Sequence, residues 1–115
     1  MQYMLLLYVN ENGFAQMTPE EQKQGLAAYT AFIEALKAAN TYVASGRLQP
    51  VSTATTVKVA NSKTQVLNGP YAETKEQLGG YFLIEAADLD AALSWAARCP
   101  AASHGTVEVR PIWVM

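Results

Sequence analysis

The spacing of apolar residues predicts how the first half of the chain folds. An unbroken apolar run at 3–9 predicts a strand, and Asn10-Glu11-Asn12-Gly13 predicts a break after it. Thr18, Pro19 and Glu21 then form a helix-start signal, with a capping threonine, a proline at the first helical position and a glutamate that closes a capping box. The apolar residues that follow recur at steps of three and four, which predicts one apolar helix face ending near Asn40. That face comprises Leu26, Tyr29, Ile33 and Leu36.

Three further strands are predicted between this helix and the middle of the chain. Residues 41–49 form a mixed apolar stretch in which Gly46 allows a bulge. Apolar and polar residues alternate over 54–60, which is typical of a half-exposed strand, and 64–67 returns as its hairpin partner.

The second half of the chain repeats the pattern of strand, helix and strand. Gly79-Gly80 predicts a turn before an apolar strand at 81–84. Asp88 predicts the N-cap of a helix over 89–98, and a last strand runs through 107–109. The expected inner face of this second helix comprises Leu89, Ala92, Leu93 and Ala96.

The order of elements defines the expected fold class. Strand-helix-strand, an inserted hairpin and a second strand-helix-strand make a split βαβ repeat, which is the ferredoxin-like α+β arrangement with two helices on one face of an antiparallel sheet. We expect a single domain over 1–115. Because both helices cover the same face, the other sheet face stays uncovered, and many of its residues are apolar. The pattern therefore predicts a homodimer that pairs through the sheets.

Composition narrows the classes of function. Half of the residues are apolar and 16% are charged, which excludes intrinsic disorder. Eight basic and ten acidic side chains give a net charge of −2, which argues against a nucleic-acid partner. A lone Cys99 and a lone His104 cannot build a disulfide or the usual zinc site. No apolar run is long enough to cross a bilayer and no secretory signal is recognisable. We expect a cytoplasmic protein without metal, cofactor or membrane partner.

Residues 68–81 carry the most specific signal in the chain. They read Asn-Gly-Pro-Tyr-Ala-Glu-Thr-Lys-Glu-Gln-Leu-Gly-Gly-Tyr. This segment resembles the signature of the DGPF group within the YCII-related family, with Asn68 where the motif has Asp and Tyr71 where it has Phe. The resemblance extends over nearly the whole chain, and it implies a ferredoxin-like fold assembled as a dimeric α/β barrel.

The family also implies what kind of function to expect. Most members have no assigned role, while a few act as small-molecule enzymes, including a chlorohydroxyhydroquinone dehydrochlorinase, for which a His–Asp pair is the proposed acid/base centre. The position of that histidine corresponds to Tyr29 here, so the pair is absent. DGPF proteins are often encoded beside extracytoplasmic-function sigma factors, which implies a regulatory protein partner as the alternative.

The signature segment contains the candidate catalytic residues. Glu73 is the first choice of proton acceptor if it is partly buried among Tyr71 and Tyr81, and Tyr71 offers a hydroxyl on an aromatic body. The alternative is a solvated pair of Glu73 with Lys75 and a plain turn at Asn68. Asn68 keeps a turn-forming side chain but cannot act as a base.

Arg47 leads the candidate binding residues, which also include Tyr29, Asn68 and Tyr81. Its guanidinium donors suit an anionic or phenolate substrate. Arg47 could equally extend into solvent at the sheet edge, or pair with Glu85 or Glu108. His104 is expected in a surface loop and Cys99 in buried packing. Two functions follow as hypotheses. One is a homodimer that binds a small cyclic or aromatic compound, with cofactor-free acid/base chemistry if it is an enzyme; the other is a non-catalytic regulatory partner.

Overall fold

The computed structural model describes all 115 residues, and its core is a four-stranded antiparallel sheet covered on one face by helices. A separate two-stranded hairpin projects from this unit. In chain order the elements are β1 (Gln2–Val9), α1 (Glu11–Ala15), α2 (Pro19–Ala38), β2 (Tyr42–Arg47), β3 (Thr55–Ala60), β4 (Lys63–Asn68), β5 (Gln77–Glu85), α3 (Leu89–Arg98) and β6 (Thr106–Pro111).

The strand order of the main sheet is β2-β5-β1-β6, with every neighbouring pair antiparallel. The two earliest strands in the chain therefore do not pair, and β5 lies between them. This is the ferredoxin-like order, so the expected α+β fold class is confirmed. β3 and β4 pair only with each other.

The first strand is apolar on both sides, yet its two faces differ in burial. Tyr3, Leu5 and Leu7 are buried against the helices, whereas Met4 and Leu6 on the opposite face are only half-buried. Successive side chains of a strand point to opposite faces, so the apolar run serves both surfaces. The face that carries Met4 and Leu6 is here called the open face.

The hydrophobic core lies between the helices and the covered face of the sheet. Phe32 of α2 meets Phe82 of β5 edge to face, with ring centroids 5.1 Å apart. The buried members of this core comprise Tyr3, Leu5, Leu7, Phe32, Leu36, Phe82, Ile84, Ala92, Ala96, Cys99 and Ala101. Burial of Cys99 confirms its expected packing role.

The long helix begins where the sequence signal predicts. The Thr18 side chain accepts from the backbone N–H of Glu21, and the Glu21 side chain accepts from the Thr18 N–H, so the capping box is complete. The predicted inner face of α2 is partly wrong: Leu26 is 46% exposed, while Phe32 is buried. The stripe that packs on the sheet is rotated toward Phe32, because that ring fills the space above β5.

The shorter helix shows a similar shift. Asp88 caps α3 as predicted, since its Oδ1 accepts from the Ala91 N–H at 2.8 Å. Leu89 and Leu93, expected inside, are exposed, whereas Ala92 and Ala96 are buried as predicted. Small residues face the sheet here, so α3 packs closely on it; Leu89 and Leu93 are left outside, while Trp95 is half-buried against the core.

Three local predictions are wrong. Gly79-Gly80 is not a turn but part of β5. Added to Gly80, a Cβ would lie 2.8 Å from the Gly46 carbonyl oxygen, so glycine serves close strand packing there. The irregularity in β2 falls between Tyr42 and Ala44 rather than at Gly46. Residues 11–15 form a short helix where a plain break was expected.

The chain is spread out for its size. Its Cα radius of gyration is 16.1 Å and its extents are 48 × 44 × 18 Å, against about 13 Å for a compact domain of this length. It exposes 8130 Å², whereas a compact protein of this mass exposes about 6,200 Å². The excess reflects the open face and the projecting hairpin. None of its helices has the length and apolar character needed to cross a membrane.

Candidate functional site

Arg47 stands at the end of β2 on the helix-covered side of the sheet. Within β2, Ser45 pairs with the buried Phe82, and Arg47, two residues on, shares that face. The Arg47 Cζ lies 4.8 Å from the centroid of the Phe14 ring, which α1 supplies. The short helix that the sequence reasoning missed therefore positions the principal binding candidate.

Arg47 has no acidic partner. The two ion pairs of the protein join the Met1 amino group to Glu85 and Arg110 to Glu108, each at 2.8 Å. The alternative interpretation, in which Arg47 pairs with one of those glutamates, is therefore wrong. Its positive charge is left available to a ligand.

Tyr29 of α2 lies near this cation and is half-buried on the helix side. Burial raises the pKa of Tyr29 to about 12; a charge on Cys99 adds to the rise, and the positive charge of Arg47 opposes it. The phenol consequently stays protonated at neutral pH. It can donate a hydrogen bond to an anion but cannot serve as a base.

The helix leaves space beside Tyr29. Gly25 stands one turn earlier on the same face of α2, and no atom outside its local backbone lies within 4 Å of where a Cβ would be. A larger residue at position 25 would project into that space. Tyr29, Arg47, Phe14 and the space beside Gly25 make up what is here called the helix-side site.

Tyr81 lies on the opposite face of the sheet from this site. It pairs with Gly46, and a Cβ on Gly46 would lie 2.8 Å from Tyr81 Cε1. The missing Gly46 side chain thus lets the Tyr81 ring pack on the open face. The sheet separates Tyr81 from Tyr29 and Arg47 within one chain.

The signature-segment candidates lie apart from both faces. Asn68 is the last residue of β4 and is exposed, and Tyr71 is 95% exposed. Glu73 is exposed as well, so the burial that its role as a base requires is not met within one chain. Gly69, at φ 108°, turns the backbone here. The catalytic roles of Tyr71 and Glu73 stay predictions.

A polar groove that the sequence reasoning missed lies beside the signature segment. It has a volume of about 860 Å³. The Thr106 hydroxyl donates to Glu76 Oε1 at 2.8 Å. Its lining comprises Tyr8, Asn10, Thr74, Lys75, Glu76, His104, Thr106 and Glu108.

Strand pairing explains how the groove gathers its residues. Tyr8 is paired with Thr106, and Glu108 lies two residues further on the same open face. The Tyr8 hydroxyl donates to Glu108 Oε1 at 3.4 Å, and Arg110 Nε donates to Glu108 Oε2 at 2.8 Å. The contact with Glu108 raises the pKa of Arg110. The alternation of residues in β1 and β6 was the available signal in the sequence, but only the register of the two strands shows that Tyr8 and Glu108 come together.

His104 stands at the rim of this groove in an exposed loop, as expected. Its Nδ1 lies 3.3 Å from the Ser103 hydroxyl. Nowhere in the chain do three or more histidine, cysteine, aspartate or glutamate side chains converge in a way that could hold a metal ion.

Fold and site together define a ferredoxin-like α+β protein with an exposed, unpaired arginine on the helix-covered side of its sheet. The chain belongs to the YCII-related family, because the model of the YCII-related domain matches residues 1–115. It is also 36% identical over 114 residues to an uncharacterized protein of Rhizobium meliloti (strain 1021), covering 97% of this chain and 92% of that protein.

A solved structure of similar fold belongs to an enzyme. It is the 5-chloro-2-hydroxyhydroquinone dehydrochlorinase of Burkholderia phenoliruptrix AC1100, in complex with 2,5-dihydroxybenzoquinone. The TM-score is 0.59 and the sequence identity 16%, with 98% of this chain and 94% of that chain covered. This likeness supports the fold.

Proposed function

We propose that the protein is a homodimer that binds a small aromatic anion at the helix-side site. The observation that carries the proposal is the state of Arg47, which lies over the Phe14 ring and has no carboxylate partner. An arginine held on an aromatic face with free donors is suited to receive a carboxylate, phenolate or enolate oxygen.

The neighbouring groups define the ligand class further. The protonated hydroxyl of Tyr29 supplies a second donor on the same side of the sheet. The space next to Gly25 offers room for a ring beside Tyr29. Two donors and an aromatic wall favour a flat ring that carries an acidic oxygen. Phenols, hydroxyquinones and aromatic carboxylates fit this description.

The similar solved structure supports this class of ligand. The compound bound to that enzyme, 2,5-dihydroxybenzoquinone, is a flat ring with acidic hydroxyl groups. The likeness in sequence is too low to transfer the activity, so the compound serves here as the first probe of the class.

Acid/base chemistry at this site would use protein groups alone. Tyr29 can donate a hydrogen bond, while its pKa, raised to about 12, makes it a weak proton donor at neutral pH. The candidate acceptor stays Glu73, with Tyr71 as a hydroxyl beside it, and their segment is exposed in the single chain. A second subunit over that segment would supply the burial that a base requires.

The homodimer accounts for the surface of the chain. The excess over a compact monomer is roughly 1,900 Å² per chain, or about 3,800 Å² for two copies, which lies in the range of about 2,000–5,000 Å² that obligate homodimers bury in total. The half-buried apolar residues of the open face, among them Met4, Leu6 and Leu83, are available for this contact. Facing sheets commonly pack about 10 Å apart through such side chains.

A blocked variant tests the ligand site. Thermal-shift assays with phenols, hydroxyquinones and aromatic carboxylates, including 2,5-dihydroxybenzoquinone, should find ligands, and titration calorimetry should then measure their affinity. Gly25→Leu fills the space beside Tyr29 and should weaken binding at least ten-fold. Ala27→Leu adds the same side chain at an exposed position on the opposite side of α2 and should bind normally. Equal affinity in the two variants, or no ligand in the panel, would overturn the proposal.

The regulatory alternative, binding to an extracytoplasmic-function sigma factor, stays a prediction. The projecting β3–β4 hairpin is the surface it would use. Co-purification of a sigma factor that is lost when this hairpin is altered would favour it.

A further inference from the structure

The β3–β4 hairpin, residues 55–68 and here called the arm, has one face of largely exposed apolar side chains. Val57 pairs with Val66, and Val59 lies two residues along on the same face. These three side chains are 61–63% exposed. The other face of the arm carries Lys58, Lys63 and Gln65, with Leu67 as its one large apolar residue. The valine face is therefore the more apolar of the two.

We expect the exposed valine face of the arm to be buried against another surface. A two-stranded hairpin is marginally stable alone in water, and contiguous exposed apolar side chains mark interfaces. The turn at Asn61 and Ser62 has positive φ at both residues, 51° and 62°, which matches the turn that two-residue hairpins prefer. The arm therefore has the geometry of a regular hairpin, but no surface of its own chain covers its valine face.

A second apolar segment is equally uncovered. Trp113, Val114 and Met115 follow β6 and are 88%, 86% and 111% exposed. Their backbone begins beside the start of β1, because the Ile112 N–H donates to the Gln2 carbonyl at 2.9 Å. Residues 112–115 are here called the tail.

Arm and tail lie at diagonally opposite corners of the sheet. β2 and β6 are its two edge strands. The arm follows β2, whose last residue, Arg47, pairs with Gly80 of β5. Gly80 in turn pairs with Leu7, near the C-terminal end of β1. The tail leaves β6 at Pro111, which pairs with Tyr3 near the other end of β1. One chain cannot bring these corners together.

A two-fold axis that relates two copies can bring the arm of one copy to the tail of the other. If the open faces of two copies meet and the axis follows the other diagonal of the sheet, the arm of each copy lies over the tail of its partner. The same rotation makes the strands of the two sheets cross at about 90°, which is one of the two common geometries for packed sheets. The contact is isologous and forms twice.

We propose that the apolar face of the arm docks on the tail of a second copy of this chain. The inference rests on the homodimer of the proposed function and adds a contact outside the sheets. The signature segment, which follows the arm directly, is then held by a contact that the partner completes. Tyr71 and Glu73, exposed in the single chain, then lie at the subunit boundary, which makes each catalytic candidate depend on the dimer.

Trp113 reports on this contact directly. The chain has two tryptophans, Trp95 and Trp113, so Trp95→Phe isolates the fluorescence of Trp113. In the dimer its emission should be blue-shifted from that of free tryptophan and protected from acrylamide. Val57→Lys in this background should reverse both effects and raise the dimer dissociation constant about ten-fold or more. Gln65→Lys places the same charge on the opposite face of the arm and should change neither.

A cross-link covers the case in which Trp95→Phe fails to fold. Val59→Cys with Val114→Cys should form a disulfide between copies, seen on a non-reducing gel, and Cys99 is too buried to compete. A dimer by light scattering that shows neither cross-link nor Trp113 protection would overturn the arm–tail contact and leave the homodimer standing. A monomer would overturn both. Loss of a bound sigma factor in Val57→Lys, with Trp113 exposed throughout, would assign the arm to that partner instead.

Discussion

The guanidinium of Arg47 lies over the ring of Phe14, with the Arg47 Cζ 4.8 Å from the ring centroid. The contact joins the end of a sheet strand to a five-residue helix, and it holds a cation that no carboxylate of the protein neutralises. A long flexible side chain is thereby restrained before a ligand arrives, which lowers the entropy lost on binding. The proposed site depends on this restraint.

The raised pKa of Tyr29 predicts a loss of stability at high pH. The folded protein keeps the phenol proton to about pH 12, whereas the unfolded chain releases it near 10.0. The contribution of Tyr29 is therefore fully present below pH 10 and is lost as the pH rises toward 12. The urea midpoint of the wild type should fall more steeply across this interval than that of Tyr29→Phe. Tyr71→Phe, at a 95% exposed side chain, is the control and should follow the wild type.

Two glycine substitutions should act in opposite directions. Gly25→Ala, in the interior of α2 with open space around it, should stabilise the protein by about 0.5–1 kcal/mol. Gly80→Ala puts a Cβ 2.8 Å from the Gly46 carbonyl oxygen, so it should destabilise by about 1–3 kcal/mol through strand displacement. Urea unfolding at one fixed protein concentration measures both. A stable Gly80→Ala protein would show that β2 and β5 are further apart than described.

The capping box of α2 should make a measurable contribution. Thr18→Ala removes the acceptor for the Glu21 N–H and should cost about 1 kcal/mol of unfolding free energy. Thr30→Ala, at an exposed position in the middle of the same helix, serves as the matched control and should cost nothing, because alanine is the better helix former. If both variants lose the same stability, the box does not define the start of α2.

Local signals in the sequence account for most of the fold. Thr18 and Asp88 correctly predict the starts of α2 and α3, because a capping contact joins residues that are only three positions apart in the sequence. Gly79-Gly80 misled because a glycine pair in a turn and one at a close strand contact look alike without the neighbouring strand. Phe32 was left out of the predicted inner face of α2 for the same reason. The space that its ring fills lies above β5, which the sequence of the helix alone does not reveal.

The candidate site was less accessible to sequence reasoning. Tyr29 and Arg47 were chosen for their chemistry, and the fold brings them to one side of the sheet. Phe14 was missed because residues 11–15 carry turn-like composition although they form a helix. Tyr8 and Glu108 are 100 residues apart, and only the pairing of β1 with β6 brings them together.

The affinity of Arg47→Ala for an aromatic anion is the most direct test of the account. Titration calorimetry with 2,5-dihydroxybenzoquinone, or with the best ligand of the panel, should show binding reduced about ten- to a hundred-fold, as expected for loss of a charged hydrogen bond. Arg98→Ala is the matched control, because Arg98 also lies over an aromatic ring, with its Cζ 4.3 Å from the Trp95 centroid. It should bind like the wild type. Unchanged affinity in Arg47→Ala, or an equal loss in both variants, would contradict the assignment of the anion to Arg47.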